Sequence, residues 1–102
     1  MRTNQDMIDL LTSFPSMANL RIQEWSGAFV AMQEGGGGLL DIYLVASSGQ
    51  KRAIEFCLSV WNQNTDWAEF GFRPFNVVHA FGTWDDKHRA SFMAWAKDPF
   101  FP

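Results

Sequence analysis

The sequence predicts a single α+β domain that spans residues 1–102, and two of its features lead to this class. The first is the helical spacing of apolar residues near both ends of the chain. The second is a pair of alternating apolar runs, joined by a short polar turn, between Leu39 and Trp61. We therefore expect an N-terminal helix, an antiparallel β-meander of three to four strands, and one or two C-terminal helices packed on the sheet.

Length, charge and cysteine content exclude several classes of protein. A chain of 102 residues is near the common size of one domain and can bury one hydrophobic core. The net charge of −3 argues against nucleic-acid binding, which usually needs a basic surface for the phosphates. Cys57 is the only cysteine, which excludes an internal disulfide, and no apolar run approaches the roughly 18 residues of a membrane span. We expect a cytoplasmic protein that does not bind membranes.

The first predicted element is an amphipathic helix that begins near Thr3 or Asn4. Asp6 falls in its first turn, where the helix dipole favours a negative charge, and apolar residues recur at helical spacing up to Phe14. Pro15 disfavours helical geometry at the residue before it and therefore ends the helix. We expect this helix to pack on the sheet.

The next run, residues 20–33, predicts a strand with a bulge or sharp twist near Gly27. Trp25 and Phe29 fall on one face of this strand. The four glycines at 35–38 then predict a flexible hairpin loop. They do not predict a phosphate-binding loop, because the Lys-Ser/Thr ending is missing and a strand follows instead of a helix.

Side-chain parity organises the hairpin between Leu39 and Trp61, because successive strand residues point to opposite faces of a sheet. A turn centred on Gly49 pairs residues that are equally distant from it along the chain, so the position numbers of cross-strand partners sum to 98. The core pairs predicted in this way are Leu40 with Leu58, Ile42 with Phe56, and Leu44 with Ile54. The opposite face is mixed and places Tyr43 across from Glu55.

The C-terminal third contains a further strand and one or two helices. Residues 67–73 alternate and predict a fourth strand. Pro74 then either opens a short helix that reaches Phe81 or precedes an extended segment. The last helix is expected to begin at a capping box formed by residues 83–86 and to run to Lys97.

Cysteine, histidine and aspartate residues supply candidate chemistry, but each has a simpler structural interpretation. Cys57 with His79 or His88 would form a nucleophile–base pair, yet Cys57 is expected in the middle of a strand as a small apolar residue. The two histidines together with Asp85 and Asp86 have no recognised spacing of metal ligands. These residues therefore predict no metal site.

A pair of carboxylates on the mixed face is the remaining candidate for acid–base chemistry. Asp41 and Glu55 lie diagonally across the predicted hairpin, but solvated carboxylates at a sheet rim are commoner than catalytic ones. We therefore predict no catalytic residue and no cofactor.

The mixed face is the candidate binding surface. The residues expected to contact a ligand or partner are Trp25, Phe29, Tyr43, Glu55, Trp61 and Trp67. So large an aromatic surface is not expected to stay in contact with water. Three covers remain open: the C-terminal helix or tail of the same chain, a second copy in a symmetric homodimer, or a small apolar ligand in a pocket.

Together these features predict a small non-enzymatic interaction protein that self-associates, as a dimer, through the aromatic sheet face. The alternative is a small-molecule-binding domain or a cofactor-free enzyme with an aromatic-lined pocket. In size, acidity and tryptophan content the chain resembles immunity proteins of toxin systems and orphan proteins of mobile genetic elements. That resemblance implies an inhibitor-like role against a protein partner, and it identifies no site residue.

Overall fold

Helices dominate the part of the chain that the computed structural model describes, which is residues 4–20, 22–24, 31–32, 39–62, 68 and 71–100. The α-helices in these ranges are α1 Asn4–Ser13, α2 Leu39–Val45, α3 Ser48–Asn62, α4 Val77–Thr83 and α5 Asp86–Lys97. A 3₁₀ turn, Pro15–Met17, follows α1. Two short strands, β1 Ile22–Glu24 and β2 Ala31–Met32, pair antiparallel with each other. The predicted α+β class with a β-meander is therefore wrong, because two of the predicted strands are the helices α2 and α3.

The N-terminal helix is confirmed. It ends at Ser13, two residues before Pro15, as the restriction on residues that precede proline requires. Its buried side chains include Met7, Leu10 and Leu11, which recur at helical spacing and face the interior.

The C-terminal helix is also confirmed, but its start differs from the prediction. Asp85 caps α5, because its Oδ1 atom accepts the backbone N–H of His88 at 2.9 Å. Thr83 instead ends α4, where its hydroxyl donates to the carbonyl oxygen of His79 at 3.0 Å. The predicted capping box over residues 83–86 is therefore wrong.

Helix α3 replaces the second strand of the predicted hairpin, and a capping box starts it. The Ser47 hydroxyl accepts the N–H of Gln50 at 3.4 Å, while Gln50 Oε1 accepts the N–H of Ser47 at 2.9 Å. Residues 52–58 and 60 are all buried, so this helix is covered on most of its sides. The apolar residues at even positions of this segment also fit one face of a strand, and they were interpreted in that way.

Helix α2 replaces the first strand of the hairpin. Leu39 and Tyr43, four residues apart, form its buried face, whereas Leu44 is 62% exposed. The predicted core pairs between residues 40–44 and 54–58 do not form, because both segments are helical. Val45 is more exposed still, at 86%.

The described part of the predicted fourth strand, Ala68 and residues 71–73, is not extended in a sheet. Gly71 has a φ of +93°, which favours glycine, and its N–H donates to the carbonyl oxygen of Ala68 at 3.0 Å. This turn directs Phe72 into the core, where its ring centroid lies 4.9 Å from that of Tyr43.

An aromatic cluster forms the centre of the core, and Phe56 of α3 is its hub. The ring centroid of Phe56 lies within 5.9 Å of four others, at 5.9, 5.4, 5.1 and 5.1 Å from Phe14, Phe75, Phe92 and Trp95 respectively. Such edge-on and tilted pairs add about 0.5–1.5 kcal/mol each beyond the burial of apolar area. These five aromatic rings therefore pack against one another, and none of them belongs to the predicted binding face.

The described helices include none that combines the length and the apolar character needed to cross a lipid bilayer.

Candidate functional site

Tyr43 and Glu55, two of the predicted binding residues, meet in a buried polar cluster with Arg52. Tyr43 lies on α2, and the other two lie three residues apart on α3. The Tyr43 hydroxyl donates to Glu55 Oε2 at 2.6 Å, and Arg52 Nη2 donates to the same oxygen at 2.7 Å. The exposed fractions of Tyr43, Arg52 and Glu55 are 4%, 4% and 3%. The prediction brought Tyr43 and Glu55 together correctly but placed them on an outer face.

Further contacts join this cluster to neighbouring segments. Arg52 Nε lies 2.6 Å from Glu55 Oε1, although its N–H is not aligned with an acceptor among the described residues, so we treat this contact as an ion pair only. The Tyr43 hydroxyl accepts the backbone N–H of Arg73 at 3.2 Å. Arg52 Nη1 lies 3.5 Å from His79 Nδ1 on α4. The cluster therefore links α2, α3, α4 and the segment before α4.

The electrostatics of the cluster favour a neutral tyrosine beside a charged arginine. Burial raises the pKa of Tyr43, and its hydrogen bond to Glu55 raises it further. Burial alone would lower the pKa of Arg52, but the hydrogen bond and the charge of Glu55 outweigh burial and raise it. The polar atoms of these groups face one another and not solvent, so the cluster acts as a structural tie. A binding role for Tyr43 and Glu55 stays a prediction.

The other predicted binding residues divide into two groups. Trp61, near the end of α3, is half-buried and packs against the core. Trp25, Phe29 and Trp67 lie outside the described residues.

The residues considered for catalysis and metal binding are separated or buried. Cys57 is fully buried, and burial raises the pKa of its thiol far above the ordinary value, which opposes a nucleophilic role. Asp41 is exposed on α2 whereas Glu55 is internal, so they do not form the solvated pair that acid–base chemistry needs. Within the described ranges, no three His, Cys, Asp or Glu side chains are grouped as metal ligands.

The most exposed apolar surface of the described helices beyond α2 lies on α4. Asn76 caps this helix, its Oδ1 atom accepting the N–H of His79 at 3.0 Å, and Ala80 faces the core. Val77, Val78 and Phe81 line an open groove of about 310 Å³, which we call the α4 groove. Val78 is 79% exposed.

The sequence predicted either a short helix that reaches Phe81 or an extended segment, and it did not identify this groove. Val77 and Val78 are adjacent, and adjacent residues of a helix point in different directions. The α4 sequence, VVHAFGT, also contains no Asp, Glu, Lys or Arg.

Comparison of the chain with protein-family models, with curated proteins and with solved structures gave no match.

Proposed function

We propose that this protein is a small interaction protein and that it self-associates through the α4 groove. The observation that carries this proposal is the exposure of Val78, at 79%, beside Val77 and Phe81 on an uncharged helix. Exposed apolar side chains that adjoin one another mark protein interaction sites, because their removal from water is favourable. The aromatic sheet face has no part in this proposal, since Tyr43, Glu55 and Trp61 of that predicted face lie on the helices α2 and α3.

A second copy of the chain is the occupant that fits this surface best. A charged partner would require charges of the opposite sign, and α4 offers no Asp, Glu, Lys or Arg. A two-fold axis beside α4 would bring Val78 of one copy against Val78 of the other, so one apolar strip meets an identical strip. This pairing needs no complementary surface elsewhere on the molecule.

The association is expected to be weak. A standard interface buries about 800 Å² on each partner, and the three groove side chains cover only a small part of that area. We therefore expect a reversible dimer with a dissociation constant on the order of micromolar or weaker.

Sedimentation velocity over a range of protein concentration tests this proposal. The wild-type protein should show a sedimentation coefficient that rises with concentration, and Val78→Lys should abolish the rise. Val45→Lys is the matched control, because Val45 is 86% exposed on α2 and does not line the α4 groove. A wild-type protein that stays monomeric up to several hundred micromolar would overturn the proposal, as would an equal loss of association in both variants.

Binding of a small apolar ligand is a second candidate function, and the size of the groove favours it. A volume of about 310 Å³ reaches the lower end of the range of about 300–1,000 Å³ that is typical of ligand pockets. Titration with an apolar probe, followed by the methyl NMR signals of Val77 and Val78, tests this function. Shifts of these signals in a sample that stays monomeric would favour ligand binding over self-association.

A further inference from the structure

Three polar side chains from distant parts of the chain form a linear array at one surface of the protein. Ser16, in the 3₁₀ turn, places its Oγ atom 2.6 Å from Nε2 of His88 on α5. On the other side of the ring, His88 Nδ1 lies 2.7 Å from Oδ1 of Asp85. Ser16 is exposed, whereas His88 is only 9% exposed and contacts the ring of Phe14. The array joins a hydroxyl that solvent can reach to a buried imidazole and a carboxylate.

The hydrogen bonds of the array define the tautomer of His88. Burial is small at Asp85, and hydrogen bonds from the backbone and ring of His88 lower the pKa of its carboxyl, so Asp85 is an ionised acceptor. His88 Nδ1 must therefore carry the proton of its hydrogen bond to Asp85 Oδ1. Nε2 is then free to accept, and it faces both the Ser16 hydroxyl and the Ser16 backbone N–H, the latter at 3.4 Å. This is the tautomer that can remove a proton from Ser16.

A small pocket adjoins the array. Its volume is about 160 Å³, and Ser47, Gly49, Thr83 and Trp84 line it beside the three residues of the array. The Trp84 indole donates to the carbonyl oxygen of Gly49 at 3.0 Å, which holds this wall in place. Gln50 Nε2 donates to the carbonyl oxygen of Ser16 at 3.1 Å, so the first turn of α3 adjoins the serine.

We propose that Ser16, His88 and Asp85 form a nucleophilic site that hydrolyses esters of short-chain carboxylic acids. Such an activity goes beyond association through the α4 groove and does not depend on it. The small volume selects a short acyl group, and the hydroxyl-bearing walls suit a polar ester better than a long apolar chain. Ser16 and His88 are the catalytic residues, and Asp85 is a positioning residue that acts through His88.

The reaction follows from the positions of the protons. Ser16 Oγ forms a bond to the carbonyl carbon while its proton moves to His88 Nε2, and Asp85 stabilises the imidazolium that results. The bond from that carbon to the alkoxy oxygen then breaks, and His88 gives its proton to the departing alcohol. Water attacks the acyl-serine, its proton passes to His88, and the same proton returns to Ser16 Oγ as the carboxylic acid leaves. No oxidant, reductant or metal enters the balance.

The exposure of Asp85 limits the expected rate. Its side chain is 67% exposed, so water competes with His88 for the carboxylate and weakens its orienting effect. We therefore expect slow hydrolysis, best detected by trapping Ser16 covalently.

The test is labelling of the full chain with an alkyl fluorophosphonate, followed by intact-protein and peptide mass spectrometry. Ser16 Oγ would displace fluoride from phosphorus, giving one phosphonyl adduct on Ser16. Ser16→Ala should give no adduct. Ser91→Ala is the matched control and should label like the wild type, because the Ser91 hydroxyl donates to the carbonyl oxygen of Ser13 and not to a histidine.

Two further variants separate catalysis from structure. His88→Asn should slow labelling by roughly 100-fold, the lower end of the range for a general base. Because this buried substitution can unfold the protein, Asp85→Asn is included; asparagine caps a helix as well as aspartate does. It should slow labelling by about tenfold and move the pH profile of labelling to lower pH, since the imidazolium loses its negative partner.

Several outcomes would overturn the proposal. They are the absence of an adduct on the folded wild-type protein, an adduct on another residue, and equal labelling rates in the wild type and Asp85→Asn. A loss of stability in Ser16→Ala without labelling of the wild type would mean that the array only ties the 3₁₀ turn to α5.

Discussion

Substitution of Glu55 by glutamine tests the interior position of the polar cluster more directly than any other change. Glutamine has nearly the same shape and can still accept from Tyr43, but it removes the negative charge beside Arg52. The guanidinium would then remain 4% exposed with its ion-pair partner lost. Glu55→Gln is therefore expected to destabilise the protein strongly, because an uncompensated buried charge is costly.

The expected magnitude follows from the surroundings of the cluster. Breaking a buried ion pair costs about 3–5 kcal/mol. The lower end of this range applies, because water is close to the cluster. Lys51 Nζ lies 5.6 Å from the Tyr43 ring centroid, and the exposed His79 adjoins Arg52. We expect about 3 kcal/mol. Tyr43→Phe, which removes one hydroxyl and leaves the charges paired, should cost about 1–2 kcal/mol.

Urea unfolding followed by circular dichroism measures these free energies, with unchanged m-values required for a valid comparison. Asp9→Asn serves as the control, since Asp9 is an exposed acid on α1 and asparagine can still accept from Gln5. It should change the free energy of unfolding by less than about 0.5 kcal/mol. A loss of less than about 0.5 kcal/mol in both Glu55→Gln and Tyr43→Phe would refute the buried cluster and favour the outer face that the sequence predicted.

Three further outcomes are expected. Gly71→Ala should cost about 1–3 kcal/mol in urea unfolding, because φ is +93° and an added Cβ would lie 3.0 Å from Leu40 Cδ1; a neutral result would contradict this turn. Ser47→Ala should lower stability by about 1 kcal/mol in the same assay, since Gln50 loses its capping partner. Tyr43 has a pKa raised in the folded state, so its contribution to stability is complete below the unfolded value near 10 and is lost as the pH rises above it. Thermal melts between pH 8 and 11 should show this loss, and Tyr43→Phe should reduce it.

The ends of the chain could be predicted because local signals determine them. Pro15 stops α1 whatever the rest of the fold does, and Asp6 matches the dipole at the start of the same helix. Helix α5 ends at Lys97, shortly before Pro99, for similar reasons. These signals act within a few residues and do not depend on tertiary contacts.

The middle of the chain was predicted wrongly from periodicity, because the apolar residues of α3 fit both a strand and a helix. A strand interpretation requires polar residues at alternate positions, yet Ala53 and Cys57, which fall at odd positions, are as deeply buried as Ile54 and Leu58. Those four positions have the spacing of one helix face. The capping box at Ser47 and Gln50 was the local signal for a helix, and it resembled a hairpin turn because Gly49 lies within it.

The candidate site was predicted in part, for a geometric reason. A β-hairpin with its turn at Gly49 and two helices joined by a short link near Ser47 both bring residues from the two sides of the connection close together. Tyr43 and Glu55 were paired on this ground, and they do meet. Their burial could not be predicted, because a strand directs Arg52 and Glu55 to opposite faces of the sheet. In a helix the spacing of Arg52 and Glu55, three residues apart, brings their charges together.

The Ser16 array shows why a sequence without a known motif can still hold reactive chemistry. Ser16 and His88 lie 72 positions apart, and no periodicity or local spacing relates them. Their contact requires the 3₁₀ turn after α1 to pack against the start of α5, where Asp85 serves both as the helix cap and as the partner of the imidazole. Because a cap alone explains Asp85 and His88, the exposed hydroxyl of Ser16 decides between structure and catalysis, and its reaction with a fluorophosphonate is the decisive measurement.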